Sequence, residues 1–260
     1  MAKQNRRDVL VQLLSRSWGE YDRTRRYEFV VRPAIPILFF GDSERYFRSP
    51  LKVITVGLNP SAVEFPDGAP FRRFPAVQRP SDRRQIDVYL KALNNYFSED
   101  PYEPWFGSFE PILNGLNASY CSARRNTALH TDLCSPLATS PTWSELKPEQ
   151  RLLLQKPGGE LWHWLVTVLR PDVIVVSVAA EHLTRIGFRR VANEMIIWTL
   201  DDEGRKQPYN VFGSLIQVSP RRRSVLAFGR AAQTPFGTVS KDKKVEIGAA
   251  IKEWYDAASR

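Results

Sequence analysis

Hydrophobic and polar positions along this chain follow two periods. Leu10, Leu13, Leu14, Trp18 and Tyr21 recur at helical spacing over residues 6–27. Ile86, Leu90 and Leu93 repeat the pattern over Gln85–Phe97, and Gly158–Leu169, carrying Trp162 and Trp164, reads as another helix. "EHLTRIGF" predicts a short helix that ends at Gly187, and "DKKVEIGAAIKEWYD" a closing one. The other pattern is continuous. "LKVIT", "RPDVIVVSVA" and "SVLAFGRA" are unbroken apolar, β-branched runs, the mark of strands buried on both faces. "TALHTDLCSPLA" (Thr127–Ala138) starts as a strand and stops at Pro136, while "MIIWTL" and "VFGSLIQVS" predict a hairpin or two short strands around the polar loop Asp201–Asn210. Arg32–Asp42 is extended and punctuated by proline, and Glu64–Arg84 is a long loop rich in Pro, Arg and Phe. A loop of that length is usually functional or mobile.

Strands that alternate with helices predict an α/β fold with a mostly parallel sheet. Neither a linker nor a repeat interrupts it, so residues 1–260 read as a single domain, with residues 1–50 packed on it as a helix and an extended segment. In such sheets ligands bind beyond the carboxyl ends of the strands. The ends expected to collect there are Asn59, the Asp132 region, Ser177–Ala179 and the loop Arg230–Gly237.

Composition narrows the partners. The chain is 43% hydrophobic, enough for a core, and no apolar run approaches membrane-spanning length. Its start lacks the features of a secretory signal, and it has only two cysteines, Cys121 and Cys134. A disulfide framework, a four-cysteine zinc site and an all-cysteine iron–sulfur cluster within this chain are thereby excluded, and the expected setting is the cytoplasm. No metal or cofactor is expected, and neither a phosphate-loop motif nor a dinucleotide fingerprint occurs. The formal net charge is +9, from 37 Lys and Arg against 28 Asp and Glu. The arginines cluster in "FRRF" (Phe71–Phe74), "RPSDRR" (Arg79–Arg84) and "SPRRRS" (Ser219–Ser224). Arg72, Arg73, Arg221, Arg222 and Arg223 are the expected contacts to a DNA backbone, since a loop arginine reaches a phosphate without distorting a helix. A solvated basic surface is the plainer alternative.

"GLNPS" (Gly57–Ser61), "DGAPF" (Asp67–Phe71) and "LHTDLCSPLA" (Leu129–Ala138) resemble, in that order, three motifs of the uracil-DNA glycosylase superfamily, nearest to its mismatch-specific and single-strand-selective monofunctional branches. The resemblance implies a three-layer α/β/α sandwich around a mostly parallel four-stranded central sheet. It also implies a monomeric enzyme that flips a base out of DNA and hydrolyses its N-glycosidic bond, in contact with the nucleoid while it acts. One departure is plain. The superfamily's later motif often carries a histidine, and this chain has glutamine at both positions that could match, Gln233 in "AAQTPFG" and Gln217 in "IQVSPRR".

Under that resemblance Asn59 positions the attacking water and Gly57 and Ser61 shape the base pocket. Taken alone, Gly-Leu-Asn-Pro-Ser is also an ordinary turn. Phe71 is expected to stack on the flipped base, with Phe65 and Phe74 as rivals and Phe65 nearer to plain core. Asp132 stands where these branches have asparagine. An ionised aspartate only accepts hydrogen bonds, so it repels uracil O4 and accepts from an exocyclic amine such as cytosine N4. A register slip would give that part to His130 or Thr131. His130 otherwise donates to the departing base or braces Asp132, and Gln233 contacts the sugar or the O2 edge. Ser61 and Ala62 are small where the uracil-strict branch has a bulky residue against C5. Together with Asp132 this predicts a 5-modified cytosine, such as a hypermodified phage base, and a role in antiviral defence. The alternatives are a uracil or thymine-mismatch repair enzyme and a catalytically silent nucleic-acid-binding domain.

Overall fold

The computed structural model of the protein describes residues 6–121, 124–201 and 206–258. In chain order its first regular elements are α1 (Arg6–Thr24), α2 (Ser43–Arg48), β1 (Val53–Gly57), α3 (Ile86–Asn94), α4 (Glu103–Gly115), β2 (Ala118–Ser119) and β3 (Asn126–Asp132). There follow α5 (Pro148–Leu169), β4 (Val173–Val176), β5 (Arg189–Arg190), β6 (Met195–Leu200), β7 (Tyr209–Ser219), β8 (Arg222–Gly229) and α6 (Lys241–Ala258). Short 3-10 turns punctuate the loops at Ala62–Glu64, Pro75–Val77, Tyr96–Ser98, Trp143–Glu145 and Ala180–Ile186. No described helix is long and apolar enough to cross a membrane.

The chain divides into two compact units. The first takes Met1–Asp42, Gly57–Tyr102 and His130–Leu169; the second takes Ser43–Val56, Glu103–Leu129 and Arg170–Arg260. In the first unit α1 buries Leu10, Leu13, Leu14, Trp18 and Tyr21, the stripe that its spacing predicts, and packs on α5. Helix α5 begins at Pro148, ahead of the predicted start at Gly158. Its proline at the first position and Glu149 in the first turn suit a helix N-terminus, and the interior Pro157 is what hid the early half from the pattern.

Among the described residues, the second unit holds the body of an eight-stranded sheet in the order β2-β3-β1-β4-β8-β7-β5, with β6 paired to β7. The predicted apolar runs become its centre. β1 and β4 are buried at every position, and β1, β4 and β8 run parallel, with Val53 opposite Val173 and Val173 opposite Val225. The sheet is mixed and larger than the four-stranded, mostly parallel one expected, because β7 runs antiparallel to β5, β6 and β8. The pairing of β6 with β7 bears out the predicted hairpin, and residues 202–205 of its loop lie outside the described residues. "SPRRRS", expected as a loop, is a tight turn at Pro220 and Arg221 that leads straight into β8, so Arg222 and Arg223 belong to a strand. "EHLTRIGF" forms a 3-10 helix over Ala180–Ile186, stopped by Gly187 at φ +64°. Helices α2 and α4 had no counterpart in the sequence pattern, and α4 packs on α6.

Candidate active site in the first unit

The chain passes from the second unit to the first just after Val56, near the end of β1, and just after Leu129, midway along β3. Beyond these points the two segments are laced together within the first unit. The backbone N–H groups of Leu133 and Cys134 donate to the carbonyls of Gly57 and Leu58, at 3.0 and 2.8 Å. Farther on, Ser61 bridges Thr139, and Ala62 N–H donates to the Thr139 carbonyl at 3.2 Å. Residues 57–62 and 133–139, both singled out in the sequence, therefore form one construction.

Asn59 sits at its middle, half-buried. Its Nδ2 donates to the carbonyls of Pro60 (2.8 Å) and Leu137 (3.1 Å) and to Thr139 Oγ1 (3.0 Å). Two of these acceptors are carbonyls, which never donate, so the orientation of the amide is fixed by chemistry. Oδ1 is left with no donor among the described residues. This is a turn with its asparagine locked, and the lock presents a bare acceptor.

Gly57 explains why a glycine precedes that asparagine. A Cβ at this position would stand 2.6 Å from Asp132 Oδ1 and 3.0 Å from His130 Nε2. Both side chains come down on the bare Cα at the end of β1. Strand alternation puts them there together, because residues two apart in a strand share a face. His130 Nε2 lies 3.6 Å from Asp132 Oδ1, and both side chains are buried. Thr131 points the other way and accepts a hydrogen bond from Trp162 Nε1 of α5 at 3.1 Å. The register slip that would have given Thr131 the base-reading part does not fit this geometry. His130 is placed to brace Asp132. The Asp132 carboxylate accepts no hydrogen bond from a described residue.

Glu64, the first residue of the long loop Glu64–Arg84 but not itself singled out in the sequence, is buried in the same unit. It accepts a hydrogen bond from Tyr96 Oη at 2.7 Å and lies 3.9 Å from Arg73 Nε. Burial above all pushes its carboxyl up to about 7, and the charges of Asp132 and Asp100 add to the rise, against the Tyr96 bond and Arg73. The neighbouring rings form a chain. Phe65 stacks on Phe74 at 5.5 Å, Phe74 lies 5.4 Å from Tyr96, and Phe40 bridges Tyr96 (4.6 Å) to His130 (5.7 Å). Asn and Pro flag a turn in any sequence, but Glu64 carries no local signal. Its environment is assembled from residues distant in the chain.

Several expected residues stand elsewhere than the sequence placed them. Phe71, the expected base platform, is buried, with the Arg83 guanidinium 3.9 Å over its ring and Phe65 edge-on at 6.1 Å. A face covered by a cation offers no seat to a base. Phe65 instead borders an open hollow of about 560 Å³, walled also by Ala62, Pro66, Gly68, Arg32 and Ser140. Neither Asn59 nor Asp132 lines that hollow. Arg73, expected to face DNA, is buried and spends its guanidinium on the Val63 carbonyl (3.2 Å) and the Asp100 carbonyl. Arg72 is exposed and paired with Asp100 at 2.7 Å.

In the second unit, Arg222 turns inward to Asp172, whereas Arg221 and Arg223 are exposed. Gln217 is in β7 and donates to the Ser219 and Arg222 carbonyls, closing the β7–β8 turn, so it is no stand-in for a catalytic histidine. Gln233 is exposed, on a loop held from below: Phe236 N–H donates to Ser177 Oγ (2.9 Å), and buried Lys244 Nζ donates to the Pro235 carbonyl (3.0 Å) and Ser108 Oγ (2.6 Å). Burial lowers the Lys244 ammonium to about 8. Ser177 and the Ala231–Gly237 loop thus meet within one unit, and the segments that carry Asn59 and Asp132 are joined within the other, through Leu133 to Gly57 and Asn59 to Leu137.

A scan against protein-family models finds no family that matches this chain, and a search of curated proteins finds no relative.

Proposed function

We propose that the protein is a monofunctional DNA glycosylase of the uracil-DNA glycosylase type, acting on a cytosine-type, 5-modified base. The observation that carries this reading is the locked amide of Asn59, whose three bonds through Nδ2 leave Oδ1 to hold a water, beside a strand end where Gly57 admits Asp132 and His130. Such a water attacks the sugar carbon of a base that has been turned out of its stack. Asp132, accepting from no donor among the described residues, answers the exocyclic amine of a cytosine ring. His130 holds it in place.

A cytosine-type ring leaves poorly unless it takes up a proton. Glu64 is the carboxyl we assign to that step, because Tyr96, which donates to it, is joined through the Phe40 ring to His130, and because burial keeps it protonated to about pH 7. Excision should then be fastest below about pH 7 and fade above it; a rate that climbs through this range removes Glu64 from the step.

The experiment is an abasic-site assay on DNA carrying uracil, cytosine, 5-hydroxymethylcytosine or its glucosylated form, with alkali to cut at abasic sites. Cleavage is expected on a cytosine-type substrate. Asn59→Ala should lower the rate by roughly 10²–10⁴-fold with DNA binding unchanged. Cleavage on uracil alone would point to a repair enzyme, and binding without scission on every substrate to a silent domain.

A further inference from the structure

A second hollow in the first unit has no part in the chemistry above. It holds about 600 Å³ and is walled by Trp18, Tyr21, Pro33, Ala34 and Pro80 and by four arginines: Arg25, Arg32, Arg83 and Arg84. These come from three separate stretches, the end of α1, the extended segment after it, and the "RPSDRR" loop. Among the described residues one carboxylate answers the four charges: Asp22 accepts from Arg84 at 2.7 Å and lies 3.6 Å from Arg25. Arg83 donates to the carbonyls of Val77 (3.2 Å) and Gln78 (3.2 Å), which orient it without neutralising it. Arg32 is exposed and makes no hydrogen bond or ion pair with any described residue.

The guanidiniums are set rather than loose. Arg84 lies over the Trp18 ring at 4.6 Å and Arg83 over Phe71 at 3.9 Å. The Tyr21 hydroxyl registers the convergence, because Arg25, Arg32 and Arg83 all pull its pKa down against the larger upward push of burial. Four like charges around one hollow repel one another, and a bound polyanion removes that repulsion. Planar guanidinium forks match phosphate oxygens in particular.

We propose that this hollow binds the phosphates of a nucleic-acid strand. A strand is favoured over a small phosphate ester because the hollow is open and because Arg32 and Pro33 also wall the neighbouring hollow at Phe65, so one backbone can run from one to the other. The assignment rests on the chain's binding nucleic acid, not on its excising a base. It moves the first unit's phosphate contacts from Arg72 and Arg73 to these four residues.

The test uses fluorescence anisotropy with a short oligodeoxyadenylate, which has no pyrimidine to excise, titrated over a range of salt. Arg25 and Arg32 are the residues to change, since they are exposed and Arg83 and Arg84 also pack on rings. R25Q/R32Q should weaken binding roughly tenfold at low salt and reduce the slope of log affinity against log salt by about 1.4, two single-strand phosphate contacts' worth. R25K/R32K keeps the charges and should keep most of the slope. Equal affinity and slope for wild type and R25Q/R32Q would overturn the assignment while leaving excision untouched. If, in that case, wild type alone binds thymidine triphosphate, the hollow serves a soluble phosphate ester and not a strand. A wild-type protein that binds no strand at any salt would end both this proposal and the glycosylase reading.

Discussion

Two buried aspartates stand at the ends of strands in this protein, and they are equipped in opposite ways. Asp172 directly precedes β4. It accepts from Lys52 N–H at 2.8 Å and from Tyr255 Oη at 3.1 Å, and it holds Arg222. Asp132, the last residue of β3, has His130 at 3.6 Å and no hydrogen-bond donor among the described residues. A buried carboxylate with its acceptors filled is fold, since burial without partners is costly. One held close to an open glycine with its acceptors unspent is equipped to meet something else. The contrast separates the two aspartates more sharply than burial does, because both are buried.

The largest effect expected from that contrast is on stability. Asp172→Ala strips the acceptor from Arg222, Tyr255 and the Lys52 amide at once, and should cost about 3–5 kcal/mol. The urea midpoint of unfolding measures it. A loss below about 1 kcal/mol would mean that the satisfied aspartate is not holding the sheet, and the contrast would collapse from that side.

Glu64 supplies the next effect, and its sign is set by the upward shift. The folded carboxyl titrates near 7 against 4.5 for an ordinary glutamate. Below about 4.5 both the folded and the unfolded chain hold this proton, and its contribution is fully present. Between there and about 7 the unfolded chain releases the proton while the folded one resists, and the contribution drains away. Relative to Glu64→Gln, wild type should therefore lose about 3 kcal/mol of unfolding free energy as pH rises from 4.5 to 7.5. Parallel stability curves for the two proteins would place Glu64 in water and remove it from the site.

Why Glu64 escaped the sequence while Asn59 did not is a matter of where each one's surroundings come from. The turn at Asn59 is written locally, in a glycine that clears room, a proline and two small polar residues, after a strand that the apolar run predicts. His130 and Asp132 share a face by the strand's period of two. Glu64 acquires its character from Tyr96 and Arg73, and Arg73 is itself pinned by Asp100, 27 residues away. The same distance effect defeated the reading of the arginines. "FRRF" and "SPRRRS" look alike in composition, but which arginine turns inward depends on Asp100 in one case and on Asp172, 50 residues from Arg222, in the other. The antiparallel pairing of β7 with β8 was hidden for a related reason. The direction of β7 depends on the tight turn at Pro220–Arg221, and a cluster of arginines there reads more readily as a loop than as a hairpin.

The smallest change tests the other aspartate. Asp132→Asn is nearly isosteric and removes no hydrogen bond that the described protein makes, so stability should move by no more than about 1 kcal/mol. Specificity is where the substitution should register. A carboxylate offers only acceptors to the base edge, whereas an amide can present a donor to a carbonyl and an acceptor to an N–H. If Asp132 reads the base, the ratio of excision rates for uracil over a cytosine-type base should rise roughly 10- to 100-fold, the scale of one paired contact at a base edge. A loss of activity on every substrate with the ratio unchanged would mean that the aspartate serves the local structure after all. In that event the bare acceptors of Asp132 would be no guide to function, and only the locked amide of Asn59 would remain to mark the site.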